Sequence, residues 1–188
     1  MRGVSPPAST GGKTCFEFVT GTVVLTATAS DPAGISKVVF LVGTTQVGTD
    51  STAPYSFSYN TRLLSNGAKA LTAKAYDGLN NAGTSVAVNV TFDNDLTVPA
   101  TSITSPASGA TVSGVVQINA IASDDRGTIA KVDFFQGSLL LGSVTEAPYT
   151  WAWDTAKASI GNQTLKTRAW DAAGNSAYST AVTVSVTR

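Results

Sequence analysis

Hydrophobic and polar positions alternate with a period of two along almost the whole chain, the spacing of strands that bury one face. Val116, Ile118, Ala120 and Ala122 alternate with Gln117, Asn119 and Ile121, which predicts a half-buried strand. Val23, Leu25, Ala27 and Ala29 repeat that pattern earlier in the chain. Val132 and Phe134 oppose Lys131 and Asp133, and a short Leu139-Leu140-Leu141 strand follows a Gly-Ser turn. Leu165, Thr167 and Ala169 share one strand face, with Lys166, Arg168 and Trp170 on the other, and a closing strand runs from Ala181 to Val186. No segment has a convincing helical period, although residues 61–67 and 155–161 are each compatible with one short helical turn. Seven or so short strands in each half, separated by Asp-, Asn- and Gly-rich turns, predict an all-β chain of antiparallel sandwiches.

The two halves say nearly the same thing. Residues 35–92 align without a gap on residues 129–186, with 20 of 58 positions identical. Ala53-Pro54-Tyr55 recurs as Ala147-Pro148-Tyr149, Gly43 and Gly48 as Gly137 and Gly142, and Ala75-Tyr76-Asp77 as Ala169-Trp170-Asp171. A period this long means two tandem copies of one domain. Residues 93–100 interrupt the alternation and carry Pro99, so they read as the linker, with domains at 1–95 and 96–188.

Five motifs of the second copy occur in an order that resembles the bacterial immunoglobulin-like domains. They are Thr101 to Val112, Ala122-Ser123-Asp124-Asp125, Lys131 to Phe135, Ala147-Pro148-Tyr149 and Ala169 to Asn175. The resemblance covers residues 98–187 and implies a seven-stranded Ig-like sandwich in each copy. It also implies a secreted protein, extracellular or at the cell surface, and no single activity, since a fold hosts many functions. The first copy departs from the pattern at its start, where Ser5 to Gly21 is about seven residues longer. Its first strand is therefore expected to be shifted, replaced or absent. An open sheet edge there would accept a strand from another copy, with Cys15, Phe16 and Phe18 as assembly residues. The alternative is a longer first loop with Phe16 and Phe18 packed inward.

Net charge is zero, with 12 basic and 12 acidic residues and no block of either sign, which argues against a nucleic-acid partner. No apolar run approaches 18 residues, so no membrane insertion is expected, and residues 1–20 lack the apolar stretch of a signal peptide. The chain is thus read as a processed product, a piece of something longer, or a protein exported by another route. The single Cys15 has no partner for an internal disulfide, which leaves an intermolecular bridge or a plain thiol.

There is no histidine, which removes Ser-His-Asp and Cys-His catalysis and the usual zinc sites. No pair of carboxylates is set across a cleft, so an enzyme is not expected. Calcium is the one cofactor the composition suggests. Asp93, Asn94 and Asp95 at the junction, with Asp124 and Asp125 in a turn, supply hard oxygen donors. The same residues also suit turns by bonding their own backbone. Tyr149, Trp151 and Trp153 point to one face of a strand, as do Tyr55, Phe57 and Tyr59. Such a stripe is either core or a strip for stacking sugars. Trp170, on the outward face, is either a contact residue or covered by a neighbouring cation. These readings converge on a non-catalytic extracellular structural or adhesive module, a surface spacer or a self-assembling filament subunit whose partner is itself or a surface glycan or protein. The second reading is a carbohydrate-binding accessory module of a larger secreted enzyme.

Overall fold

The computed structural model describes residues 2–5 and 17–188, and the chain divides into two compact units, 1–94 and 95–188. The first unit holds β1 (Arg2–Ser5), β2 (Glu17–Val19), β3 (Thr22–Ser30), β4 (Lys37–Val42), β5 (Thr45–Asp50), β6 (Tyr55–Asn60), β7 (Gly67–Tyr76), β8 (Ala82–Thr84) and β9 (Val88–Phe92). They form two sheets, β1-β3-β6 and β2-β9-β7-β4-β5, with β8 paired to β7. The second unit holds β10 (Ala100–Ser105), β11 (Thr111–Val112), β12 (Val115–Ser123), β13 (Ile129–Gln136), β14 (Leu139–Val144), β15 (Tyr149–Asp154), β16 (Gly161–Asp171), β17 (Ser176–Tyr178) and β18 (Val182–Val186). Its sheets are β10-β12-β15 and β11-β18-β16-β13-β14, with β17 paired to β16. The two units therefore share one topology, and the all-β sandwich expected from the alternation is what forms. Each predicted helical turn is a single 3-10 turn, Thr61–Leu63 and Thr155–Lys157.

The inward positions of each strand meet between the sheets. In the second unit Ile118, Val132, Phe134, Trp153, Leu165, Val184 and Val186 make one continuous core. Each such side chain contributes about 1.5–3 kcal/mol when fully buried. The first unit divides the same space into two clusters, one around Val38, Phe40 and Tyr55 and one around Val42, Tyr59, Val90 and Phe92.

Gly48 and Gly142 recur because of what lies opposite them. A Cβ on Gly48 would enter the Phe57 ring, and one on Gly142 would enter the Trp151 ring. Each glycine thus lets an aromatic of the facing sheet lie flat on bare backbone, and each ring then stacks on a core phenylalanine. The centroid distances are 6.4 Å for Phe40–Phe57 and 6.4 Å for Phe134–Trp151.

The start of the first copy is displaced rather than missing. β1 pairs antiparallel with β3, Arg2 opposite Ser30 and Ser5 opposite Thr28. β2 then runs parallel to β9 with Val19 opposite Phe92, as β11 runs parallel to β18 in the second unit. Both edges that a missing first strand would have opened thus carry strands of this chain. Phe18 does not pack inward: alternation along β2 directs Val19 toward the core, and Phe18 is 70% exposed. Cys15 and Phe16 lie outside the described residues.

Candidate functional site

The densest chemistry is an acidic cluster in the second unit. One carboxylate oxygen from each of Asp95, Asp124 and Asp125 lies within 4.8 Å of the others. The turn between β12 and β13 places two of them. Asp124 Oδ2 accepts from the Arg126 backbone N at 3.0 Å, and Gly127 closes the turn in the left-handed region at φ 80°. The segment before β10 brings the third. Asp95 Oδ1 accepts from the Thr97 N at 3.1 Å, and the Thr97 hydroxyl donates to Asp125 Oδ2 at 3.1 Å. Asn175 Nδ2 donates to the Asp95 carbonyl at 3.2 Å, so Asp95 belongs with the second unit rather than the first.

Three carboxylates at this spacing repel, and one oxygen is left over: Asp124 Oδ1 is buried with no hydrogen-bond partner. A hard divalent cation would remove the repulsion and satisfy that oxygen. Calcium takes about six to eight oxygens, of which three carboxylates and the Thr97 hydroxyl supply part and water can supply the rest. Asp95, Asp124 and Asp125 are the residues that could hold such a cation.

Asp93 and Asn94 do not share in this cluster. Both belong to the first unit, where the Asp93 N donates to the Val19 carbonyl at 3.1 Å. Asn94 is 1% exposed, and its Oδ1 accepts from Gly21 N at 2.9 Å, Thr61 Oγ1 at 2.8 Å and Thr20 Oγ1 at 3.4 Å. Asn66 completes the lock, its Oδ1 accepting from the Asn94 N at 2.9 Å and its Nδ2 donating to the Asn94 carbonyl at 2.8 Å. An oxygen with three donors already aimed at it is a structural tie, not an open ligand. Arg188, 94 positions on in the repeat, seals the same corner of the second unit by donating to the carbonyls of Thr155, Ala156 and Ala158.

The aromatic stripe is core. Trp153 is 3% exposed, and its indole N–H donates to Gln136 Oε1 at 3.2 Å. Trp151 is half-buried between Phe134 and the Gly142 backbone. Neither ring presents a free face for a sugar, which corrects their reading as ligand contacts. Trp170 is held by its surroundings. Its indole N–H donates to Asp133 Oδ2 at 2.7 Å, and the Arg168 guanidinium lies 4.0 Å from its ring centroid.

Asp133 was legible only as an outward strand position, yet it is 4% exposed. It accepts from Ser143 Oγ at 2.5 Å and Lys131 Nζ at 3.0 Å as well as from Trp170. Burial pushes its carboxyl up, but the hydrogen bonds from Ser143, Lys131 and Trp170 and the Lys131 charge together hold it below the ordinary carboxylate range.

The family model for the bacterial Ig domain matches residues 16–73 and again 99–166. The chain belongs to that family. It carries two tandem copies, in keeping with the resemblance carried by the five motifs. No curated protein is matched. Among solved structures, the chain is 29% identical to the fibronectin(III)-like modules of Clostridium thermocellum CbhA, at a TM-score of 0.50 over 97% of this chain and 92% of that one. An endo-beta-1,4-mannanase from Thermotoga petrophila is 16% identical at a TM-score of 0.43, over 50% of this chain and 21% of that one. No helix is long and apolar enough to cross a membrane among the described residues.

Proposed function

We propose that this chain is a non-catalytic spacer module of an extracellular bacterial protein, two self-contained Ig-like sandwiches in series whose job is mechanical. The observation that carries this reading is where the aromatics go. Each copy places its three-membered aromatic stripe inside its own sandwich, Tyr55, Phe57 and Tyr59 in one and Tyr149, Trp151 and Trp153 in the other. A module built to stack neutral sugars needs such rings in solvent.

Calcium at Asp95, Asp124 and Asp125 would serve the spacer by pinning residues 95–97 to the β12–β13 turn. A cation there exchanges mutual repulsion for shared ligation and so stiffens the start of the second unit. The test of the function is a calorimetric titration with neutral β-glucan and mannan oligosaccharides. No saturable heat is expected. Saturable binding that disappears in Trp151→Ala would overturn the spacer in favour of a carbohydrate-binding module.

A further inference from the structure

The outward face of the larger sheet carries a second arrangement that the spacer role does not use. In the second unit Arg168 lies 5.1 Å and Lys166 5.3 Å from the Tyr178 ring centroid, and Lys131 lies 5.1 Å from that of Trp170. In the first unit Lys37 and Lys74 lie 5.0 and 5.2 Å from the Tyr76 ring centroid. The two sets share their framework, because Lys37, Lys74 and Tyr76 occupy the repeat positions of Lys131, Arg168 and Trp170.

The charge on these faces is largely uncompensated. Of the five cations, only Lys131 makes an ion pair among the described residues, at 3.0 Å to Asp133. A chain with no net charge therefore concentrates positive charge on one sheet face of each copy. Tyr178 is 53% exposed and is propped by Phe135, whose ring centroid lies 5.7 Å away at 59°. Just over half of the residue stays in solvent, with Lys166 and Arg168 set over its ring.

We propose that this face of the second unit binds an acidic polysaccharide of the polyuronate class, with Tyr178 under a sugar ring and Lys166 and Arg168 on its carboxylate. The chemistry that favours a uronate is the pairing of a cation and an aromatic within one ring's reach. A single uronate residue carries an apolar ring face and a carboxylate together, so it engages both partners at once. An acidic peptide offers the carboxylate on a flexible stem and leaves the aromatic idle. In the first copy Thr84 and Thr72 stand at the positions of Tyr178 and Lys166, so this site belongs to the second unit alone.

Affinity electrophoresis of the full chain through gels holding polygalacturonate, its methyl-esterified form, dextran sulfate or polyglutamate tests this. Retardation is expected in polygalacturonate and not in the esterified polymer. Tyr178→Ala is expected to weaken it about fivefold, the effect of one exposed ring contact. Lys166→Gln should weaken it further, and 0.5 M salt should abolish it. Both substitutions are at surface positions, and a melting curve confirms that each variant is folded. Equal retardation by dextran sulfate with no effect of Tyr178→Ala would mean charge alone and would overturn the proposal. So would preference for polyglutamate, which would point to an acidic protein, or no retardation at all.

Discussion

Replacing Asp133 by alanine should destabilise the second unit by about 2–3 kcal/mol. The figure follows from what the carboxylate holds: Ser143, Lys131 and Trp170 all donate to it, and a hydrogen bond to a charged group contributes about 1.5–3 kcal/mol. The total stays near one such bond because Lys131 is partly solvated, its side chain 39% exposed, and regains water when the carboxylate leaves. For a domain of this size that is a fall in Tm of about 10–20 °C. The first copy supplies an internal control, since its equivalent residue is Val39, itself buried. Asp133→Val should therefore cost less than Asp133→Ala, because it refills the volume with the residue the other copy uses. The assay is urea unfolding or calorimetry of the whole chain, following the two units as separate transitions. A cost for Asp133→Ala below about 0.5 kcal/mol, the level of an ordinary surface change, would mean that the carboxylate does not tie these three donors together. So would an equal shift of the first unit's transition.

Four further outcomes follow from the same structure. Because the Asp133 carboxyl is depressed in the fold, its contribution is complete above the unfolded carboxylate value of 3.8 and disappears as pH falls through the native one. The stability gap between wild type and Asp133→Asn should thus be constant above about pH 5 and close below it. Gly142→Ala drives a methyl into the Trp151 ring and should cost about 1–3 kcal/mol, with near-ultraviolet circular dichroism reporting the displaced indole. Asn94→Ala removes the acceptor for Gly21 N and Thr61 Oγ1 and should cost the first unit about 2 kcal/mol in denaturant melts. Calcium at 100 times its Kd should stabilise the second unit by about 2.7 kcal/mol. Asp124→Asn should erase that gain while leaving the calcium-free protein as stable or more so.

What could be read from the sequence was whatever depends on neighbours close in the chain or on the repeat. The alternation at Val116–Ala122 and Leu165–Trp170 became β12 and β16 with the expected faces. The matched Gly48 and Gly142 signalled a shared constraint, although only the facing sheet shows that an aromatic ring is its cause. Long-range partners were not legible. Asn94 looks like a linker ligand until Asn66, Thr61 and Gly21 converge on it. Asp95 sits in the chain beside Asn94 but in space beside Asp125, because β10 turns the segment toward the β12–β13 turn. Tyr178 gave no signal, since β17 is three residues long, too short to show a period. The displaced first strand followed from the longer stretch between Ser5 and Gly21, but its pairing with β3 did not.

A spacer requires each copy to be complete in itself, rather than a subunit waiting for another chain's strand. Light scattering coupled to size-exclusion chromatography, over a hundredfold range of concentration under reducing conditions, tests this directly. A single species at the mass of one chain, 19.2 kDa, at every concentration is the predicted result. Growth into larger species with concentration, abolished by removing residues 1–20, would contradict it and make the chain an assembly subunit.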